Sequence, residues 1–188
     1  MKLNQLIPTT YVDNHGSVVL DHYCSLIKKN CSQFLEQSEN LPLYKGLKKN
    51  EQFTKLKARL RSSKQTFNPI FNDAIGSTPN LRERAIYAHG VIQEYSDHST
   101  YFLFPIDGFK FAYNSQITDS SIYQTVFEAV HDVDVFTEML KYNYVNQDLP
   151  AAIQCGAEIL FHHIPYCYAI KLENDITYND ILTQIHHV

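Results

Sequence analysis

The sequence predicts an α+β domain built on a mixed or mainly antiparallel sheet with flanking helices. Three observations carry that reading. A long stretch near the N-terminus places apolar residues at helical spacing; several short runs of aliphatic and aromatic residues are bounded by turn signals; and runs that neighbour in sequence are joined by short turns. The 188 residues fit one domain with a core that needs no covalent staples. Within it, 1–38 reads as a helical lead, 39–175 as the α/β core and 176–188 as a C-terminal helix.

The first ten residues read as irregular. From about Gly16 to Glu36, Val19, Leu20, Tyr23, Leu26, Ile27, Cys31, Phe34 and Leu35 follow helical spacing and predict one amphipathic helix. Leu41 to Lys45 reads as a short strand closed by Gly46. Residues 47–80 are polar, basic and poorly periodic, which predicts a long loop ending in the turn signal Gly76-Ser-Thr-Pro-Asn80. Arg84 to His89 is a second strand. Tyr101 to Pro105 and Phe109 to Tyr113 predict a hairpin through Ile106-Asp107-Gly108, with aromatics on both faces, as in sheet core rather than a base-stacking platform. Ser121 and Gln124 have capping-box spacing and open a helix expected to bury Ile122, Val126 and Val130. A further helix spans about Val133 to Tyr142. Two strands, Ala157 to His163 and Tyr166 to Leu172, hinge at Pro165, and a last helix from Tyr178 carries Ile181, Leu182 and Ile185 onto the core.

Composition excludes several functions. A net charge of −4 gives no electrostatic case for gripping a phosphate backbone, so nucleic acid is not an expected partner. The local exception, Lys55, Lys57, Arg59, Arg61 and Lys64, reads as a solvated basic segment. No apolar run approaches the roughly 18 residues of a membrane span, and the N-terminus lacks a signal-peptide core, so a cytoplasmic protein is expected. Cys24, Cys31, Cys155 and Cys167 show no metal-type spacing and read as reduced thiols. Cys24 and Cys31 share a helix face but are separated by about 10 Å of rise, too far for a disulfide. The nine histidines form no metal motif either, and no metal is expected. Phosphate loops, dinucleotide fingerprints and a partnered serine nucleophile are all missing.

Glu158 is the residue most suggestive of chemistry. In Ala151-Ala-Ile-Gln-Cys-Gly-Ala-Glu-Ile-Leu160 it is a lone carboxylate among small and apolar neighbours, where a loop is expected to turn into a buried strand. Strand alternation sends Ile159 and Phe161 one way and Glu158, Leu160 and His162 the other. A carboxylate so placed needs a partner, water or ligand.

The order of elements, together with Leu43-Tyr44-Lys45-Gly46, the lead Asn80-Leu-Arg-Glu-Arg84 into Ala85-Ile-Tyr-Ala-His89, the run Tyr101 to Tyr113, and Gly156-Ala-Glu-Ile-Leu160, resembles a family of small bacteriophage proteins. That family is related to mono-ADP-ribosyltransferases of the arginine–serine–glutamate class. The resemblance covers roughly residues 38 to 172. It implies an ADP-ribosyltransferase-like fold, NAD as co-substrate, a host protein as target in the bacterial cytoplasm, and Glu158 as the catalytic glutamate opening a late strand. It further implies Lys45 and Gly46 in the place of the first-strand arginine and glycine that contact NAD, with Arg84 or His89 helping to position it. The chain departs from the class in two places. Lysine keeps the positive charge of arginine but loses its planar fork, and Tyr87-Ala88-His89 stands where the class carries its serine–threonine–serine motif. Where the class often has Glu or Gln two residues before the catalytic glutamate, this chain has Gly156, and Gln154 is the nearest polar residue. These departures suit either a divergent enzyme or a non-catalytic inhibitor of a host or defence protein on the same fold; a virion-associated structural protein is the third reading.

Overall fold

The computed structural model describes residues 11–12, 18–19, 21–58, 68–75, 81–94, 96–116, 119, 122–173 and 176–188. In chain order the strands are β1 (Tyr11–Val12), β2 (Val18–Val19), β3 (Tyr44–Leu47), β4 (Phe53–Lys57), β5 (Ile86–His89), β6 (Ser99–Pro105), β7 (Lys110–Tyr113), β8 (Glu158–His162) and β9 (Tyr166–Lys171). The helices are α1 (Asp21–Asn30), α2 (Ser32–Gln37), α3 (Asn68–Ile75), α4 (Leu81–Arg84), α5 (Ile122–Val130), α6 (Val133–Asn143), α7 (Leu149–Gln154) and α8 (Tyr178–His187). β1 and β2 form a separate two-stranded ribbon, and the other seven strands form one sheet in the order β4-β9-β6-β3-β5-β8-β7. Every neighbouring pair in it is antiparallel, so the architecture is α+β.

The sheet is two halves joined at one point. β3 pairs with β6 over four residues and β5 pairs with β8 over four, but β3 meets β5 through the single pair Tyr44–His89. One half, β4-β9-β6-β3, buries Phe102, Phe104 and Ile170 against α1, α2 and α8, with Phe34 edge-on to Phe104 and Tyr178 stacked on it. β6 is buried from Tyr101 to Pro105, as expected of a strand covered on both faces. The other half turns Ile86, Ala88, Ile159 and Phe161 into the same core, while Tyr87 and Leu160 face a second cluster built from Phe71, Leu81, Phe136 and Leu140 on α3, α4 and α6. The alternation expected along β8 is therefore present. Each buried Phe or Leu of these clusters contributes about 1.5–3 kcal/mol by leaving water.

Several expectations are corrected. The single N-terminal helix is two, broken at Cys31, whose φ of −127° is not helical; Val19 belongs to β2, and Gly16 lies outside the described residues. The first strand starts at Tyr44 and continues through Gly46 instead of stopping there. The expected loop 47–80 contains β4 and α3, and its turn signal at 76–80 lies outside the described residues. Arg84 ends a short helix instead of opening a strand.

The hairpin is absent: β6 pairs with β3 and β9, whereas β7 pairs with β8 at the other edge. The Asp107-Gly108 turn is held elsewhere. Its carboxylate accepts from Ser32 Oγ and the Gln33 amide, and the Gly108 amide donates to Gln33 Oε1. The turn thereby docks on the α1–α2 junction and directs the two strands apart. α5 leaves Ile122 and Val130 exposed, with Val126 packed at the edge of the second cluster; Ser121 of the expected capping box lies outside the described residues. α8 buries Ile181, Leu182 and Ile185 as expected, and a complete Thr177–Asp180 capping box starts it.

Candidate functional site

The three strands that carry Lys45, His89 and Glu158 lie side by side as β3, β5 and β8. The Tyr44–His89 pair joins β3 to β5, and the His89–Glu158 pair joins β5 to β8. Directly paired residues of antiparallel strands put their side chains on the same face, so His89 and Glu158 are neighbours at one end of the sheet. Lys45 follows Tyr44 where β3 and β5 part, and its Nζ lies 5.9 Å from the centroid of the Tyr87 ring. Gly46 stays within β3, paired with Thr100 of β6.

Local sequence explains why Glu158 opens β8. Asp148 caps α7 by accepting from the Ala151 amide, and Pro150 sits in the first turn, where its missing N–H is harmless. The helix ends at Cys155, and Gly156 takes the left-handed φ of +71° that favours glycine, reversing the chain into β8. Gly90, just after β5, packs against the end of α7 so closely that no side chain fits there. Gly156 in turn abuts the side chain of Val91, 3.3 Å from the position of a Cβ. The two glycines let the end of β5 and the entry to β8 interlock, which fixes His89 beside Glu158.

His89 is buried, and burial lowers its pKa from 6.5 to about 4; Lys45 adds to the shift and the Asp119 carboxylate opposes it. The imidazole is therefore neutral at pH 7. Its Nε2 stands 4.0 Å from Glu158 Oε2, beyond hydrogen-bond reach, and a neutral ring makes no ion pair across that gap. Its Nδ1 is buried with no hydrogen-bond partner among the described residues. Glu158 keeps 12% of its side chain exposed.

Asn114, buried in the residue after β7, stands opposite Glu158 if the Tyr113–Ile159 register is carried one step on. Asn114 and Asp119 join the neighbourhood although the sequence reading did not select them. The available signal was a polar residue closing the apolar run Phe109 to Tyr113.

Arg84 does not join this group. It is exposed at the end of α4, before β5, and β5 itself carries the chain about 10 Å to His89. Arg82 is structural. Its Nε donates to Asn68 Oδ1 and its amide to Asn72 Oδ1, its guanidinium lies over Phe71, and its carbonyl accepts from the Tyr87 hydroxyl. Gln154 is exposed in the last turn of α7.

Among the described residues no group of three or more His, Cys, Asp and Glu is arranged to hold a metal ion, and no helix is long and apolar enough to cross a membrane. Compared with models of protein families, with curated proteins and with solved structures, the chain matches none.

Proposed function

We propose that this chain is an NAD-dependent ADP-ribosyltransferase-like protein, phage-encoded and acting in the host bacterial cytoplasm, that modifies a host macromolecule, a protein in preference to nucleic acid. The observation that supports it is the adjacency of β3, β5 and β8, which gathers Lys45, His89 and Glu158 at one junction from three distant parts of the chain. Breaking the bond between ribose and nicotinamide develops positive charge on the ribose. The Glu158 carboxylate, accepting a hydrogen bond from the ribose 2′-hydroxyl, stabilises that charge as it forms. Lys45 supplies a cation for the phosphates. His89, neutral at pH 7, lies beside Glu158 without placing a second positive charge next to the developing one. Arg84, on α4 before the far end of β5, has no part in this role.

A non-catalytic inhibitor of a host or defence protein is the second reading. It is favoured by the exposed apolar residues of α6, Val133, Val135 and Tyr142, the last 88% exposed. Calorimetric titration with NAD, together with a nicotinamide-release assay, separates the two. NAD binding weakened by Lys45→Ala, with turnover lost in Glu158→Ala, supports the enzyme. Absence of binding at millimolar NAD, or equal turnover in wild type and Glu158→Ala, overturns it.

A further inference from the structure

We propose that the cavity at the opposite end of β5 and β8 is a binding site for a small organic phosphate. The cavity is about 410 Å³, within the range of small-molecule sites. Arg84, His162 and His163 provide its ionisable lining, and Leu81, Ile164 and Pro165 an apolar wall. Arg84 is exposed and makes no ion pair among the described residues. His162 is only 6% exposed, and its Nδ1 is buried with no hydrogen-bond partner among the described residues. His163 takes a left-handed φ of +66° that turns its ring edge-on to His162, with centroids 4.7 Å apart. The Ala58 amide donates to the Pro165 carbonyl and ties the β8–β9 connection to β4.

The charge is one-sided. Lys110 of β7 pairs with His162 in register and lines a neighbouring cavity that His162 also borders. Arg84 comes from α4 and Lys110 from β7, while α2 offers only the neutral Gln33 and Gln37. No carboxylate is among the described lining residues of either cavity, in a chain whose net charge is −4. A guanidinium fork suits the oxygens of a phosphate, and the imidazoles of His162 and His163 on the same wall add N–H groups that such an anion can accept from. The volume and the apolar wall leave room for a body attached to that phosphate, such as a nucleoside. This site is separate from the Lys45–His89–Glu158 junction and stands whether or not NAD binds there.

The test is an imidazole ¹H–¹⁵N correlation titration of the full chain, with inorganic phosphate and with AMP as separate probes. The expected result is saturable movement of the His162 and His163 signals and a rise of the His162 pKa from about 4, because a bound anion favours the charged ring. AMP is expected to bind about tenfold more tightly than inorganic phosphate, and Arg84→Gln to weaken both by about tenfold, with partial recovery in Arg84→Lys. Lys29→Gln, on α1, is the surface-charge control and changes neither affinity. An unmoved His162 signal, or undiminished affinity in Arg84→Gln, overturns the proposal. Equal affinity for the two probes does the same, because the apolar wall would then have no ligand to contact.

Discussion

Gly90 lies directly under the main-chain carbonyl of Ile153: a Cβ at position 90 would stand 1.7 Å from that oxygen. The contact clamps the end of α7 onto the end of β5. Because α7 leads through Gly156 into β8, it also sets where Glu158 stands relative to His89.

Gly90→Ala is therefore expected to destabilise the protein by about 3 kcal/mol, since backbone must move to admit the methyl group. Gly108→Ala is the contrast. Position 108 has a φ of +88°, but a Cβ there would meet nothing within 4 Å, so only backbone strain of about 1 kcal/mol is expected. Urea unfolding midpoints measure both, and equal shifts would show that close approach at Gly90 is not what matters.

Glu158→Gln keeps the side-chain volume and removes the charge. On the proposed chemistry it lowers nicotinamide release about 10²–10³-fold, with the unfolding midpoint nearly unchanged. Lys45→Arg restores a planar fork and is expected to tighten NAD binding several-fold, which calorimetry reads directly. Affinity unchanged in Lys45→Ala as well would remove Lys45 from the binding role.

The two buried histidines make stability depend on pH. His89 and His162 titrate near 6.5 when unfolded and at about 4 when folded, in both cases chiefly because burial disfavours the charged ring. Above pH 6.5 both states hold neutral rings and these residues add no pH dependence. Between about 6.5 and 4 the unfolded chain binds protons that the folded chain does not, so stability falls as pH falls. Below about 4 both states are protonated and the loss levels off. Each histidine accounts for at most about 3 kcal/mol. Urea midpoints measured across this window should show a shallower slope in His162→Gln than in wild type.

The cysteines should divide sharply in thiol titration. Cys24, Cys31 and Cys167 are buried, and desolvation raises all three, Cys24 to about 12, whereas Cys155 is exposed after α7. One thiol per chain is expected to react rapidly with an aromatic disulfide reagent in the native state and the other three only on unfolding. Loss of the rapid phase in Cys155→Ser completes the assignment.

Local pattern was enough to read α6, α8, β8 and β9 nearly to their ends, because each has a clear period, cap or turn signal. The sequence also singled out Glu158 by itself, since a carboxylate among Gly, Ala and Ile stands out before any partner is known. Pairing was a different matter. The run Tyr101 to Tyr113 looks like a hairpin because local turn chemistry is all that adjacent residues can express. In the fold, Asp107 and Gly108 bond to α2, and that distant contact sends β6 and β7 to separate halves of the sheet. The stretch 47–80 hid β4 and α3, which gain their stability from β9 and α6 and not from a strong local pattern.

The same division holds for the candidate site. Residue type singled out Glu158, and the resemblance added Lys45, Gly46, Arg84 and His89 as candidates. Only the sheet order β3-β5-β8 decided that His89 joins Glu158 and Lys45, while α4 leaves Arg84 beside His162 at the other end. Which side chains share a site depends on strand register and close backbone approach, and those are set by contacts between residues far apart in the chain.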